Sequence, residues 1–140
     1  MPADPASKRH ALVAKARSLV GEFSLTKPSL TAAAVGAALE TASGTSYTGI
    51  NLDLACGIGF CAEHAAVAEM LKARETVVRS IVAVNEERIV APCGRCRELL
   101  VQVDPRNLDC VVLLPDDRSA TLRELLPDAW LEQLLVQKRA

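Results

Sequence analysis

The sequence is poor in aromatic residues and has no excess of basic charge. Aromatic residues make up 3% of its 140 positions, and the formal net charge is -1. Proteins that hold single-stranded nucleic acid combine stacking aromatics with a basic groove, and anionic lipid attracts clusters of Lys and Arg. We therefore expect a small-molecule partner, and neither nucleic acid nor a membrane.

The sequence also lacks long apolar runs. None approaches the roughly 18–20 residues that span a bilayer, and the first ten residues lack the ~7–15-residue apolar stretch of a secretory signal. These absences predict a soluble, cytoplasmic protein. The five cysteines are an odd number, and cytoplasmic thiols stay reduced, so metal ligands or buried apolar residues explain them better than a disulfide framework.

What is present is enough apolar material for one core, since half of the residues are hydrophobic. The length predicts a single domain over residues 1–140. Apolar residues at helical spacing predict a first helix from about Pro5 to Phe23. Thr31 to Glu40 and Thr45 to Leu54, joined by a turn at Ser43-Gly44, predict a β-hairpin, although a helix in its first half stays open.

The rest of the chain alternates strands and helices. Further predicted elements are helices at 62–73 and 94–103, strands at 77–85, 108–114 and 119–121, and helical segments at 122–126 and 129–138. This order predicts an α/β fold, a three-layer α/β/α sandwich with a mixed five-stranded sheet.

Two short cysteine stretches carry the chemistry: Cys61-Ala62-Glu63 and Pro92-Cys93-Gly94-Arg95-Cys96. Each lies where a loop becomes a helix, and helix N-termini lower thiol pKa values. Three thiols suit a zinc ion with one position left for water, which is typical of catalytic sites. Glu63 lies two residues after Cys61, in the first turn of the same helix, and is predicted to reach the metal-bound water and shuttle protons rather than to bind the metal.

Neighbouring residues leave alternatives open. We expect Arg95 or Arg97 to offset thiolate charge by hydrogen bonding. A fourth ligand, either His64 or Cys56, would close the site and make it structural. Cys110, inside an apolar run, is predicted to be a core residue.

The two stretches match the C-x-E and P-C-x-x-C signature of zinc deaminases. The sequence most closely resembles the free-nucleoside cytidine deaminases, and the resemblance extends through Val35-Gly36-Ala37-Ala38-Leu39, the strand ending at Asn51, and Glu124-Leu125-Leu126-Pro127. It implies a cytidine deaminase-like fold over the whole chain beyond the first helix. It also implies hydrolysis of a cytosine nucleoside to its uracil product and ammonia.

The resemblance implies residue roles as well. Cys61, Cys93 and Cys96 would hold one zinc per subunit, and Glu63 would be the general acid and base. Asn51, Asp53 and Ala62 would bind substrate. His64, Arg95, Arg97 and Trp130 would support the metal or contact a neighbouring subunit, since the family forms homotetramers whose sites borrow residues from neighbours.

The chain departs from the usual family pattern at Ala33, Asp53, His64 and Glu98, where Phe, Glu, Arg and Gln are usual. We expect these changes to fall on the substrate pocket. Blasticidin S deaminases share the Arg at position 95, so a modified cytosine nucleoside such as blasticidin S is the alternative substrate. A deaminase of RNA or DNA, and a non-catalytic zinc module, are the competing hypotheses.

Overall fold

The computed structural model describes residues 4–139 as one sheet flanked by helices. The helices are α1 (Pro5–Arg17), α2 (Ala62–Lys72), α3 (Gly94–Val103), α4 (Leu122–Leu125) and α5 (Trp130–Arg139), with a 3-10 helix at Pro105–Asp109. The strands are β1 (Phe23–Ser24), β2 (Thr31–Thr41), β3 (Ser46–Asp53), β4 (Val78–Val84), β5 (Ile89–Val90), β6 (Val111–Leu113) and β7 (Ser119–Thr121).

The sheet is mixed, as predicted. Strand β2 pairs antiparallel with β3 and β4, β4 pairs parallel with β6, and β6 pairs antiparallel with β7. A parallel pair needs a crossover connection, and α3 lies in that connection. The sheet has seven strands rather than five, because the two-residue strands β1 and β5 add to the five predicted ones.

Helices cover both faces of the sheet, which confirms the three-layer arrangement. On one face, α1 packs Leu12 and Ala16 against β2, β4 and β6. The opposite face carries the larger core, where α2 and α3 pack residues such as Met70 and Leu100 against Leu39. Within the described residues, no helix combines the length and apolar character that spanning a bilayer requires.

Two elements differ from their predicted bounds by three residues or more, and the others by two or fewer. Helix α1 ends at Arg17 rather than near Phe23, because the chain must turn back for Phe23 to pair with Ala32 on β2. The strand predicted from position 108 begins only at Val111, because a 3-10 helix precedes it. The hairpin is confirmed, and α3 has the predicted bounds.

The 3-10 helix turns one polar side chain into the core. Asn107 is fully buried; its Oδ1 accepts a hydrogen bond from the backbone N–H of Val78, and its Nδ2 donates to the carbonyls of Thr76 and Leu100. Buried polar groups need such partners. The amide therefore joins the start of β4 to the end portion of α3.

Glycine lets α2 lie directly on β3. A Cβ added to Gly49 would fall 2.4 Å from the backbone nitrogen of Ala66 and 2.7 Å from the carbonyl oxygen of Ala62. Since real side chains essentially never approach backbone so closely, only glycine permits this contact. The contact fixes the depth at which the N-terminus of α2 sits.

Strand β2 contains a bulge opposite Asn51. The register runs from Ala32 paired with Leu52 directly to Gly36 paired with Ile50, so three residues of β2 face one residue of β3. Ala33 takes a positive φ of 66° there, a conformation that residues other than Gly, Asn and Asp rarely adopt. The Asn51 side chain spans the irregularity by accepting a hydrogen bond from the backbone N–H of Val35.

Candidate metal centre and active site

The two cysteine stretches meet at the starts of two neighbouring helices. Cys61 is the N-cap of α2, Cys93 is the N-cap of α3, and Cys96 is the third residue of α3. Both helices lie on the same face of the sheet and contact one another. The fold therefore brings together residues that are more than thirty positions apart in sequence.

The three thiols lie at distances suited to one zinc ion. Cys93 Sγ is 3.6 Å from Cys61 Sγ and 3.5 Å from Cys96 Sγ. Tetrahedral ligands with a Zn–S bond of about 2.3 Å lie roughly 3.8 Å apart. His64 belongs to the same cluster, because its ligand atom and those of Cys61 and Cys96 lie within 4.8 Å of one another. The donor set thus fits zinc, with three sulfurs and one nearby imidazole.

Glu63 lies at the inner side of this cluster. Its side chain is only 5% exposed, and burial raises the pKa of its carboxyl, while hydrogen bonding, including that with the Cys96 thiol, acts in the opposite direction. A carboxyl with a raised pKa can hold and release a proton closer to neutral pH. This is the property that a general acid and base requires.

The thiol pKa values differ from the sequence-based expectation. For Cys93, burial raises the pKa, but hydrogen bonds from the backbone N–H groups of Cys96 and Arg95 and from the other thiols outweigh it and lower the pKa overall. For Cys61 and Cys96, burial dominates and raises the pKa. The pKa-lowering effect of the helix N-terminus therefore prevails at Cys93, whereas burial outweighs it at Cys61 and Cys96.

Among the described residues, the side chains of Arg95 and Arg97 make no hydrogen bond to the thiols. Arg97 donates from Nε to the carbonyl of Pro92 and from Nη1 to the carbonyl of Leu125, both at 2.9 Å. It braces the loop before Cys93 against the C-terminal segment, rather than binding sulfur as expected. Arg95 is exposed and lines the neighbouring cavity.

A cavity of about 420 Å³ opens beside the cluster. Asn51 and Asp53 line it from β3, and Cys61, Ala62 and Arg95 line it from the two helix starts. The structure thus brings the predicted substrate-binding residues to the metal cluster. Val35 and Phe60 also line the cavity; neither was predicted from the sequence as a site residue, although Phe60 directly precedes Cys61.

Two of the four departures from the family pattern do not lie on this cavity. Ala33 is buried in the bulge of β2, and Glu98 accepts a hydrogen bond at Oε1 from the backbone N–H of Trp130 at the start of α5. The expectation that all four fall on the pocket is therefore wrong for these two. Asp53 does line it, and His64 faces an adjoining hollow.

Comparison with known proteins agrees with this site. Residues 7–112 match the model of the family described as the cytidine and deoxycytidylate deaminase zinc-binding region. A cytidine deaminase of Halalkalibacterium halodurans is 34% identical over 100 residues, which cover 69% of this chain and 76% of the relative. A blasticidin-S deaminase of Bacillus cereus is 31% identical over 106 residues, covering 66% and 74%.

Solved structures show the same fold. The cytidine deaminase of Mycobacterium tuberculosis aligns with a TM-score of 0.73 at 26% identity, covering 87% of this chain and 96% of that one. The cytidine deaminase of Burkholderia pseudomallei gives 0.71 at 30% identity, covering 86% and 98%.

Fold and site define an enzyme of the zinc-dependent deaminase type. Its cysteine and histidine cluster can hold one zinc ion. More specifically, the chain belongs to the cytidine deaminase family.

Proposed function

We propose that this chain hydrolytically deaminates a free cytosine nucleoside, cytidine or deoxycytidine. In this reaction a C–O bond forms at C4 of the ring, the exocyclic C–N bond breaks, and water is consumed as ammonia and the uracil product leave. One observation carries the proposal: the buried Glu63 lies next to a cluster of three thiols, and one of these, Cys61, lines an open cavity.

Cys61, Cys93 and Cys96 are the proposed ligands of zinc. When bound there, zinc would polarise a water molecule and lower its pKa. Glu63 is the proposed catalytic residue: its carboxylate takes a proton from the attacking water and passes it to the leaving nitrogen. The raised pKa of its carboxyl supports this double role, because a base that also acts as an acid must release its proton again.

Asn51 and Asp53 are the proposed contacts to the sugar. Asn51 Oδ1 already accepts the backbone N–H of Val35, so its Nδ2 is the group available to donate into the cavity. Asp53 offers a carboxylate acceptor from the same strand and cavity. A donor and an acceptor two residues apart on one strand suit the hydroxyl groups of a sugar, which both accept and donate hydrogen bonds. Ala62, fully buried at the cavity floor, would contact the base.

Zinc content and ammonia release test the proposal. Glu63→Gln is expected to lower kcat by about 10²–10⁴-fold while zinc remains at one ion per chain. The matched control is Glu69→Gln on the same helix, whose exposed carboxylate only pairs with Lys72 and which should leave turnover unchanged. Purified protein without zinc, or full turnover by Glu63→Gln, would refute the proposal.

A modified cytosine nucleoside is the second candidate substrate, supported by the similarity to the blasticidin-S deaminase. Ammonia release should be compared for cytidine, deoxycytidine, cytidine monophosphate and blasticidin S. The proposal predicts the highest kcat/KM for an unmodified nucleoside. A higher kcat/KM for blasticidin S would instead support a modified cytosine nucleoside as the substrate.

We also propose that the chain acts as a single catalytic domain in a cytoplasmic homotetramer, without nucleic acid or membrane partners. The even balance of charge supports the absence of such partners. Trp130, 52% exposed at the start of α5, supports a subunit contact, since large exposed aromatics are enriched at interfaces. Light scattering that gives the mass of one chain at micromolar concentration would refute the tetramer.

A further inference from the structure

His64 lies within the metal cluster without a role in the reaction proposed above. Its Nδ1 is 3.6 Å from Cys96 Sγ. That distance fits two arrangements, since a nitrogen ligand at about 2.0–2.1 Å from zinc lies roughly 3.5 Å from a sulfur ligand, and an N–H···S hydrogen bond has a similar length. His64 either binds zinc as a fourth ligand and closes the site, or donates a hydrogen bond to the Cys96 sulfur without binding zinc.

The surroundings of Cys96 favour the supporting role. The side chain of Cys96 is fully buried, so a thiolate there has no solvent to hydrogen-bond with and needs a donor from the protein. Arg97, on the same helix, is committed to two backbone carbonyls. Among the described residues, His64 Nδ1 is the side-chain nitrogen that lies within hydrogen-bonding distance of the Cys96 sulfur.

The buried carboxyl of Glu63 disfavours the closed site. Glu63 is 5% exposed, and in a zinc-loaded site the neighbouring cysteine sulfurs are thiolates, which have no proton to donate to its carboxylate. The carboxylate then needs another donor, because buried charges without partners are costly. Water at an open fourth position supplies that donor, whereas His64 in that position would exclude the water.

We infer that His64 is a positioning residue that donates a hydrogen bond from Nδ1 to the Cys96 sulfur and leaves the fourth zinc position open. The inference rests on the proposed zinc site but not on the proposed substrate. It fixes the ring tautomer, because Nδ1 must carry the proton. His64 thereby supplies the side-chain hydrogen bond to a ligand thiolate that was expected from Arg95 or Arg97.

Zinc K-edge X-ray absorption on the zinc-loaded full chain tests the coordination directly. The expected spectrum has three sulfurs and one light atom, without the multiple scattering of a coordinated imidazole. His64→Asn keeps an amide N–H near the place of Nδ1 and should leave this spectrum unchanged. Imidazole scattering in the native protein that disappears in His64→Asn would overturn the inference.

Competition with a chelator tests the hydrogen bond. His64→Leu removes the donor and should weaken zinc binding by about 10–100-fold, as loss of an outer-shell partner does, whereas His64→Asn should stay within about threefold of the native affinity. The matched control is His10→Asn on the exposed side of α1, which should change nothing. Native zinc affinity in His64→Leu would overturn the inference.

The two proposals fail separately. Absence of zinc or of turnover in the native chain refutes the proposed function. A coordinated imidazole in a zinc-containing chain that still releases ammonia from cytidine refutes only the role of His64. If His64→Leu does not fold, the native and His64→Asn absorption spectra still decide the coordination.

Discussion

Replacing Gly49 with Ala should impair the metal centre although Gly49 does not touch it. The added Cβ would lie 2.4 Å from the nitrogen of Ala66, 2.6 Å from Cβ of Ala65 and 2.7 Å from the oxygen of Ala62. Ordinary contacts at Cβ are 3.4–4 Å, so α2 must move away from β3 by about 1 Å. None of the three atoms can escape by changing a rotamer, because all belong to the backbone or to Cβ.

The movement is transmitted to the site through the start of the helix. Cys61 caps α2 and Glu63 is its second residue, while Cys93 and Cys96 belong to α3 and stay in place. A shift of ~1 Å in catalytic geometry can cost about 10²-fold in rate. Overpacking itself costs about 1–3 kcal/mol of the free energy of unfolding. We expect kcat/KM to fall about 100-fold and zinc affinity at least about tenfold.

Three measurements separate positioning from a general loss of stability. Ammonia release at saturating zinc gives kcat/KM, chelator competition gives zinc affinity, and urea unfolding gives the free energy of unfolding. Gly21→Ala is the matched control, because no atom lies within 4 Å of its added Cβ. Gly49→Ala with native turnover and zinc affinity, whatever its stability, would refute the reasoning that this contact sets the position of α2.

Three further substitutions test other parts of the structure. Asn107→Ala leaves the buried N–H of Val78 and two carbonyls without partners and should lower the free energy of unfolding by about 3 kcal/mol in urea. Asp104 has a pKa of about 2, below the ordinary 3.8, chiefly because of its hydrogen bond from Arg106. The ionised carboxylate therefore stabilises the folded state above about pH 4, and this contribution is lost as the pH falls towards 2. Asp104→Asn should accordingly flatten the acid unfolding curve measured by circular dichroism. Asn51→Asp keeps the acceptor that spans the bulge but removes the Nδ2 donor that we propose binds the sugar, so KM for cytidine should rise about tenfold with little change in Tm.

Each of these has an outcome that contradicts it. Asn85→Ala, which removes hydrogen bonds only within a turn, is the control for Asn107→Ala and should cost less than about 1 kcal/mol; equal losses would contradict the role given to Asn107. An acid transition of Asp104→Asn as steep as the native one would contradict the role given to Asp104. An unchanged KM would leave Asn51 with only a structural role.

Local signals in the sequence were sufficient for the elements around the site. Ser43-Gly44 predicted the turn of the hairpin, because Gly44 takes a positive φ there that other residues rarely adopt. Pro92 and Asp104-Pro105 bracketed α3 correctly, since proline restricts the residue before it. The cysteine motifs likewise predicted which side chains meet, because their chemistry is local and specific.

Tertiary contacts decided what the sequence could not. The strands β1 and β5 contain two residues each, too few for any periodicity to appear. The pKa of Cys96 depends on how deeply α3 is buried, and no motif encodes that depth. Arg97 binds a carbonyl twenty-eight positions away, and nothing in the neighbouring sequence distinguishes this from the predicted contact with a thiolate.

The bulge in β2 has a consequence for how the pocket can change over evolutionary time. Its two additional residues preserve the alternation of faces, because both β2 and β3 advance by an even number of positions between the flanking pairs. Insertion or loss of two residues in this segment, which includes the cavity-lining Val35, would therefore leave the inward and outward sides of the sheet unchanged. Selection for a new substrate could act on this short segment while the sheet and the metal centre remain under separate constraint.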